Sequence, residues 1–356
     1  MKKNVLVLYT EYAPYLHACF LKFTRLFNYD VHVVRYPLDK NAPFQFSEAP
    51  GIRFYERREM DRNAILDLCR KLDPVCILVA GWIDRDYNAI LPELKKEGRL
   101  VITAVDNQWV GSLKQKLFAL GGRFFVQKRY SSVWVPGIFQ YEYMRKSGIP
   151  SEMVMTGYYC ADSDLYQNQY RQRDRFPKRF IYVGRLLEFK GMATLIEAIE
   201  MTNASGQHNW EFVIIGSGDY EEKVRALSQK YSNITYKPFM QPDELARETA
   251  GGGVFVLPSN YEAWGVVVHE YALMGFPLIL SSMVGARNQF LSPGYNGFVF
   301  KAGDSRSLKS AFDRFISMDE DSLKAMAQRS HEIGKTLNTE AWACRLNERI
   351  ISHINS

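Results

Sequence analysis

The chain has 356 residues with 47% hydrophobic, 24% charged and 14% aromatic side chains, a globular composition that excludes a disordered or collagen-like protein. That length is ample for two domains with separate cores. The net charge is +6, and five of those six charges fall in the first 165 residues, an asymmetry too mild for a nucleic-acid binder.

The N-terminus, MKKNVLVLYTEYAPY, imitates a signal peptide, but its apolar run is only about five residues and no small-residue cleavage site follows. It reads instead as a first β-strand, Asn4–Tyr9. Further strands are expected at Val31–Arg35, Val75–Ala80, Leu100–Ala104 and Val133–Pro136, where runs such as VCILVA suit parallel strands buried on both faces. After Asp162 the polar stretch DSDLYQNQYRQRDRFPKR reads as a linker. A second series follows: FIYVG, EFVIIG, ITYKPF, GVFVLP, PLILSS and GFVF, with helical segments between. The expected architecture is α/β, with two doubly wound Rossmann-like domains, 1–165 and 166–338, and ligands where strand C-termini face an interdomain cleft. A last amphipathic helix within 339–356, about Thr339–Ile354, can pack back on the first domain. No apolar run reaches the ~18 residues of a membrane-spanning helix. Cys19, Cys69, Cys76, Cys160 and Cys344 are scattered without CxxC spacing, so neither a disulfide framework nor a zinc site is expected and a cytoplasmic location is.

Four segments after successive strands of the second half carry the chemistry. In YVGRLLEFKGMATLIEAI a strand ends at Gly184, Arg185 follows, and Lys190-Gly191 open a helix. Two cations near a helix N-terminus make an anion site, because backbone N–H groups and the dipole add to the side-chain charge. Arg185 can grip a phosphate bidentately while Lys190 supplies a point charge. Taken alone, an ordinary strand–turn–helix with solvated basic residues explains the segment equally well. In VIIGSGDYEEKVRAL the Gly216-Ser217-Gly218 turn lets backbone approach a ligand, although most such turns are structural. In KPFMQPDELARETAGG, Phe239-Met240 offer an apolar edge for a base, with a plain capped helix as the alternative.

The fourth segment is VFVLPSNYEAWGVVVHEYALMGFPLILS. A strand runs into Pro258-Ser259, then Glu262, then a helix holding Glu270, the two acids a little over two turns apart if the helix were continuous. Gly265 between them exposes backbone N–H groups to an oxyanion. Glu270 sits in VVVHEYALMG, an almost wholly apolar run, and a buried carboxylate needs specific partners. Sugar or ribose hydroxyls are such partners.

Together these segments resemble the retaining glycosyltransferases of the GT-B fold, family 4, over about residues 178–305. The family's E-x7-E element stands as Glu262-AWGVVVH-Glu270, its G-R…K-G element as Gly184-Arg185 and Lys190-Gly191, and its P-S as Pro258-Ser259. Asn296-Gly297-Phe298-Val299 and Gly303-Asp304 match its later strand and turn. The resemblance implies a hexosyltransferase-type enzyme moving a sugar from a nucleotide-diphosphate donor to a hydroxyl of a glycan or lipid-linked acceptor, in bacterial cell-surface polysaccharide synthesis. It implies Arg185 and Lys190 on the diphosphate, Glu270 on the ribose, and Glu262 with the Ala263, Trp264 and Gly265 backbone beside the donor sugar. Fixed cations and helix N–H groups can stabilise a departing diphosphate without a metal, so no metal and no further cofactor are expected. Asp84-Arg85-Asp86 imitates the DxD of metal-dependent transferases but lies in the other half.

The first half is the expected acceptor side. Tyr12 follows the first strand, where many relatives carry glycines and this chain has none. Trp82 and Asp84 follow VCILVA, the aromatic side chain suited to stacking on a sugar face. VITAVDNQW sets Asp106, Asn107 and Trp109 at a strand end, and Asp106 is the candidate closest to the reacting centre. No covalent protein nucleophile is assigned. In residues 111–130, Lys114, Lys116, Arg123, Lys128 and Arg129 interleave with Leu113, Leu117, Phe118, Leu120, Phe124 and Phe125. This reads either as a stretch lying on an anionic membrane at its inner face, or as a core-facing helix with a solvated basic edge. His269 beside Glu270 reads as packed rather than catalytic.

Two other readings share the fold. A nucleotide-sugar epimerase would release a free epimer without any acceptor, and a non-catalytic pseudo-transferase subunit need not keep Arg185, Lys190, Glu262 and Glu270. A dinucleotide oxidoreductase is disfavoured, because the first strand leads into YTEYAPY and not into GxGxxG.

Overall fold

Among the described residues two parallel sheets organise the chain, one of seven strands and one of six. The computed structural model describes residues 2–38, 43–46, 49–206 and 209–355. Of the described residues, unit 1 holds those in 2–38, 44–160 and 337–355, and unit 2 holds Pro43 and those in 161–336.

Unit 1 begins with β1 (Lys3–Tyr9), α1 (Pro14–Leu26), β2 (Tyr29–Arg35) and β3 (Ile52–Glu56). It continues through α2 (Arg62–Leu72), β4 (Cys76–Ala80), α3 (Arg85–Lys96) and β5 (Leu100–Ala104). Then come α4 (Leu113–Arg129), β6 (Ser132–Val135), α5 (Ile138–Lys146) and β7 (Val154–Thr156), giving the order β3-β2-β1-β4-β5-β6-β7. Val5–Leu8 and Ile77–Val79 are completely buried, as strands covered on both faces must be. β3 and β7 are the two edges and were not among the expected strands. IRFYE carries charge at both faces and VMT is three residues long, because an edge strand needs no continuous apolar run.

Unit 2 opens with α6 (Ser163–Gln167), β8 (Arg179–Val183), α7 (Met192–Ala204) and β9 (Glu211–Ile215). α8 (Glu221–Lys230), β10 (Ile234–Lys237), α9 (Pro242–Thr249) and β11 (Val254–Leu257) follow. The remainder is α10 (Val266–Leu273), β12 (Leu278–Ser281), α11 (Arg287–Phe290), β13 (Gly297–Phe300), α12 (Ser305–Ile316) and α13 (Glu320–Gly334). Its core is aromatic: Phe180 lies 4.6 Å from Trp210 and 4.5 Å from Phe312 between ring centroids. The start of the segment expected to be a linker is α6, capped by Asp162, whose carboxylate accepts from the Leu165 N–H at 3.1 Å. For that reason the chain passes between units at 160/161, before the expected 165/166, and returns at 336/337.

α14 (Thr339–Ile354) belongs to unit 1 and packs on α1. Trp342 fixes it there: its ring stacks on Trp134 at 4.8 Å and its indole N–H donates to the Tyr158 carbonyl at 2.6 Å. The sheet order in unit 2 is β10-β9-β8-β11-β12-β13. Counted from the first strand, both sheets contain the doubly wound order 3-2-1-4-5-6, and the sheet of unit 1 adds a seventh strand beside the sixth. Winding reverses between β1 and β4 in unit 1 and between β8 and β11 in unit 2. Loops leaving the carboxyl ends of those strand pairs lie where this fold holds ligands.

Candidate active site

In unit 2, β8 and β11 are hydrogen-bonded neighbours, and the loops that leave them touch. Gly191, at the entry to α7, has φ 76°, and a Cβ there would collide with the Pro258 carbonyl. Only glycine lets the first loop lie against the second. The Asn260 N–H donates to the Phe189 carbonyl at 2.8 Å and the Asn260 amide to the Glu188 carbonyl at 3.2 Å. Held in this way, Lys190 Nζ lies 2.5 Å from Glu262 Oε2, and the Ser259 hydroxyl donates to the same oxygen at 3.2 Å. The two charged side chains are 14% and 15% exposed, so the pair is largely but not wholly shielded from water. The Arg185 guanidinium and Lys190 ammonium lie 5.7 and 5.5 Å from the centre of the exposed Phe189 ring, which both cations therefore flank. The Tyr182 hydroxyl donates to the Arg185 carbonyl at 2.8 Å, and burial with the nearby Glu262 charge pushes its pKa up.

Glu262 precedes α10 instead of lying on one continuous helix with Glu270. Its N–H donates to the Met283 carbonyl at 3.2 Å and its carbonyl accepts from the Gly285 N–H at 3.0 Å. Gly265, with φ 92°, starts α10 without a side-chain cap, and the N–H groups of a first helical turn have no partner within their helix. Glu270 lies within α10, where burial pushes its carboxyl up to about 7. A hydrogen bond with Tyr166 pulls it back, and the Asp162 charge adds to the rise. Burial also raises the pKa of Tyr166, with Glu270 contributing, and that of Asp162. These partners come from the stretch read as a linker, and no spacing in the sequence connects them to Glu270. Phe189 and Tyr182 were likewise not singled out.

The remaining donor-side candidates are placed as follows. Gly216 approaches the Gly184 carbonyl too closely for any side chain, and its N–H donates to the Lys237 carbonyl at 3.0 Å. The half-buried Phe239 donates its N–H to the Ser217 hydroxyl at 3.3 Å, with half-buried Met240 beside it. Ala263 is half-buried, but Trp264 is a core side chain lying edge-on to Phe290 at 6.2 Å, so only its backbone remains a candidate contact. His269 is packed: its Nδ1 accepts from the Ala161 N–H and its Nε2 faces the Gly334 carbonyl, each at 3.0 Å. Asn296 is structural, its amide donating to the Phe290 carbonyl at 2.9 Å, and Asp304 caps α12 through the Ser307 N–H at 3.0 Å.

In unit 1 the loops after β1 and β4 contribute to a pocket of about 410 Å³ lined by Thr10, Tyr36, Arg57, Ile83, Asp84, Arg85 and Asp86. Asp84 is the N-cap of α3, accepting from the Asp86 and Tyr87 N–H groups at 2.9 and 3.0 Å. It also accepts from Arg57 Nε at 3.0 Å and the Tyr36 hydroxyl at 2.8 Å. Burial alone would raise the Asp84 pKa, but the Arg57 bond and these donors bring it below the usual range. Asp86 pairs with Arg57 at 2.9 Å and Arg62 at 3.3 Å. The DxD look-alike is thus an arginine-bound helix start.

Tyr12 does not face a ligand. It is buried among Tyr9, His17, Phe46 and Phe54, because the loop after β1 folds its apolar side chains inward. Trp82 stacks on Phe118 at 5.2 Å, and Trp109 packs against Tyr143 at 5.8 Å with Lys146 over its face. Neither is an open sugar platform. Asn107 is exposed. Asp106, half-buried beyond β5, accepts from the Tyr159 hydroxyl at 3.1 Å, and Tyr159 packs against Tyr15 at 5.2 Å.

Residues 167–332 match the family model described as Glycosyl transferases group 1. That match lies within unit 2 and covers just under half of the chain. The chain is 24% identical over 208 residues to the putative colanic acid biosynthesis glycosyltransferase WcaL of Salmonella typhimurium, covering 56% of this chain and 51% of that protein. The chain spans about half the length or less of the first curated relatives it matches. Among solved structures, sucrose-phosphate synthase from Thermosynechococcus elongatus superposes with a TM-score of 0.76 at 17% identity, covering 99% of this chain and 100% of that one. Anabaena HepE in complex with UDP and glucose gives 0.72 at 13% identity, covering 99% and 100%. At such identities the likeness establishes the fold, which is that of the GT-B transferases.

Proposed function

We propose that the protein is a retaining glycosyltransferase of polysaccharide synthesis, moving a sugar from a nucleoside-diphosphate donor held by unit 2 to a hydroxyl of a glycan or lipid-linked acceptor. The observation that carries this reading is the Lys190–Glu262 pair at the point where the sheet of the unit with the group 1 match reverses its winding. Arg185 and Lys190 take the diphosphate, and the first turn of α10 adds N–H donors to the distal phosphate. Glu270 accepts from the ribose hydroxyls. Glu262 and the backbone of Ala263–Gly265 lie beside the donor sugar. A UDP-sugar is the first donor to test, since the Anabaena neighbour holds UDP.

In the transfer, the bond from the anomeric carbon to the diphosphate oxygen breaks and the acceptor oxygen bonds to the same face of that carbon. The acceptor proton passes to the departing phosphate oxygen. Charge on the leaving group grows as the bond stretches, and fixed cations and oriented N–H groups lower the barrier because they are already in place. Asp106, held by Tyr159, is assigned to the acceptor side near the reacting centre. Turnover is independent of a divalent metal in this reading, supported by the arginine pairing of Asp84 and Asp86.

The test is to incubate the full chain with a panel of nucleotide sugars and oligosaccharide acceptors, with and without EDTA, and to read the new linkage by proton NMR. An α-donor should give an α-product at an undiminished rate in EDTA. An inverted linkage, a free epimer formed without acceptor, or loss of turnover restored by manganese would contradict the reading.

A further inference from the structure

The outer side of α4 carries four exposed apolar side chains. Leu113, Leu117, Leu120 and Phe124 are between 60% and 82% exposed. At 3.6 residues per turn they fall within about 60° of one another, one stripe along the helix. The helix already has its own packing face on the opposite side. There Phe118 stacks on Trp82, Val126 is buried, and Gly122 leaves room for the Phe118 ring, which a Cβ would meet at 2.7 Å. A helix that only covers a core needs one apolar stripe, and α4 has two.

Exposed Val110 and Ile83 extend the outer stripe. Val110 is tied to α4 by its N–H donating to Gln115 Oε1 at 2.9 Å, and Ile83 follows Trp82, whose ring packs on α4. Lys114, Lys116, Arg123 and Lys128 are exposed on the same helix, and among the described residues none of them pairs with a carboxylate. From Asn107 to Tyr141 the chain contains no Asp or Glu. The face is therefore apolar along its crest and cationic around it.

We propose that this face of α4 rests on an anionic phospholipid bilayer, Leu113, Leu117, Leu120 and Phe124 entering the headgroup–acyl boundary while the four cations meet lipid phosphates. The combination of an apolar stripe and flanking Lys and Arg is what in-plane helices use, and each part is weak alone. A second copy of the chain is disfavoured as occupant, because two such faces in contact would set cations against cations. The proposal extends the proposed function without depending on it, since lipid binding is read without any sugar substrate.

The test is co-sedimentation of the full chain with vesicles of phosphatidylcholine alone and of phosphatidylcholine with phosphatidylglycerol, at low and high salt. Binding should be at least about ten-fold tighter to the anionic vesicles and should weaken as salt screens the cations. Leu117→Asp with Leu120→Asp should reduce it by about ten-fold or more, since each leucine loses its apolar burial. Lys114→Glu with Lys116→Glu should weaken binding to anionic vesicles alone. Melting temperatures should stay at the wild-type value in both variants. Absence of vesicle binding by the wild type, or equal binding to both vesicle types at both salt levels, would overturn the proposal whether or not the variants fold. So would a wild-type dimer that Leu117→Asp with Leu120→Asp converts to monomer while no vesicle binds.

Discussion

Lys190 and Glu262 are 72 residues apart in the chain and 2.5 Å apart in the structure. The two charges neutralise one another. A diphosphate would compete with Glu262 for the Lys190 ammonium, so the two residues should respond to substitution in opposite directions when binding is measured. Lys190→Ala should weaken nucleoside-diphosphate binding by about ten-fold or more, as expected for loss of a charge-assisted contact. Glu262→Gln should bind the diphosphate at least as tightly as the wild type, because it removes a competing negative charge. Both should lower kcat by on the order of 10²–10³, the usual cost of losing one fixed electrostatic partner. Calorimetric titration alongside a transfer assay separates the two effects.

Glu270 should make stability and, in the proposed role, donor binding depend on pH with opposite signs. Its carboxyl, ordinarily near 4.5, is raised to about 7 by burial, so the folded protein holds that proton more tightly than the unfolded chain. The stability this contributes is complete below 4.5, declines from there to about 7, and is gone above. Glu270→Gln should therefore melt close to the wild type near pH 4 and above it at pH 8. If Glu270 accepts from ribose hydroxyls as proposed, the ionised carboxylate is the better acceptor, and wild-type affinity for a nucleotide sugar should rise through about pH 7. In Glu270→Gln the affinity should be lower and nearly flat. Thermal melts and titrations across this range check both.

Gly191→Ala should show what the contact between the two loops is worth. The φ of 76° is strained for any residue with a Cβ, and the Pro258 carbonyl stands in its way. A loss of at least about 1–2 kcal/mol in urea unfolding is expected from the backbone conformation alone, with the collision added. Nucleotide binding should fall with it, because Lys190 is the adjacent residue.

The Asp84 carboxylate should prove structural for unit 1. Asp84→Ala removes the cap of α3 and leaves Arg57, itself buried, with only the half-exposed Asp86 as a carboxylate partner among the described residues. Removing one side of a buried pair costs up to about 3–5 kcal/mol, and the remaining bond to Asp86 keeps the loss below that ceiling. Because the folded pKa of Asp84 lies below its unfolded value, its contribution is present above the unfolded pKa and is lost as pH falls through the folded one. Acid unfolding of unit 1 should thus begin at higher pH in variants that weaken the pair, and circular dichroism against pH measures it.

Legibility in the sequence followed burial. VCILVA, FVIIG and VFVLP announce central strands because such strands are covered on both faces, and they stand within a residue or two of where they were expected. IRFYE and VMT escaped notice because an edge strand is exempt from that demand. Around the site, Gly184-Arg185, Lys190-Gly191 and Glu262 are local signals, since charge beside a glycine turn means something before any tertiary contact is known. Tyr166 beside Glu270 is a tertiary contact between segments that no spacing links. Tyr12, Trp82 and Trp109 are expected near ligands because they follow strand ends. The fold uses them as packing, as it does most large aromatic side chains. Asp84 looked like a free acid because its arginine, Arg57, arrives from 27 residues away.

Titration of the full chain with a panel of nucleoside diphosphates bears most directly on unit 2 as the donor site. At least one of them should bind the wild type, and Arg185→Ala and Lys190→Ala, with unchanged melting temperatures, should each bind it about ten-fold or more weakly. Failure of every nucleoside diphosphate to bind, or equal affinity in the wild type and both variants, would contradict it.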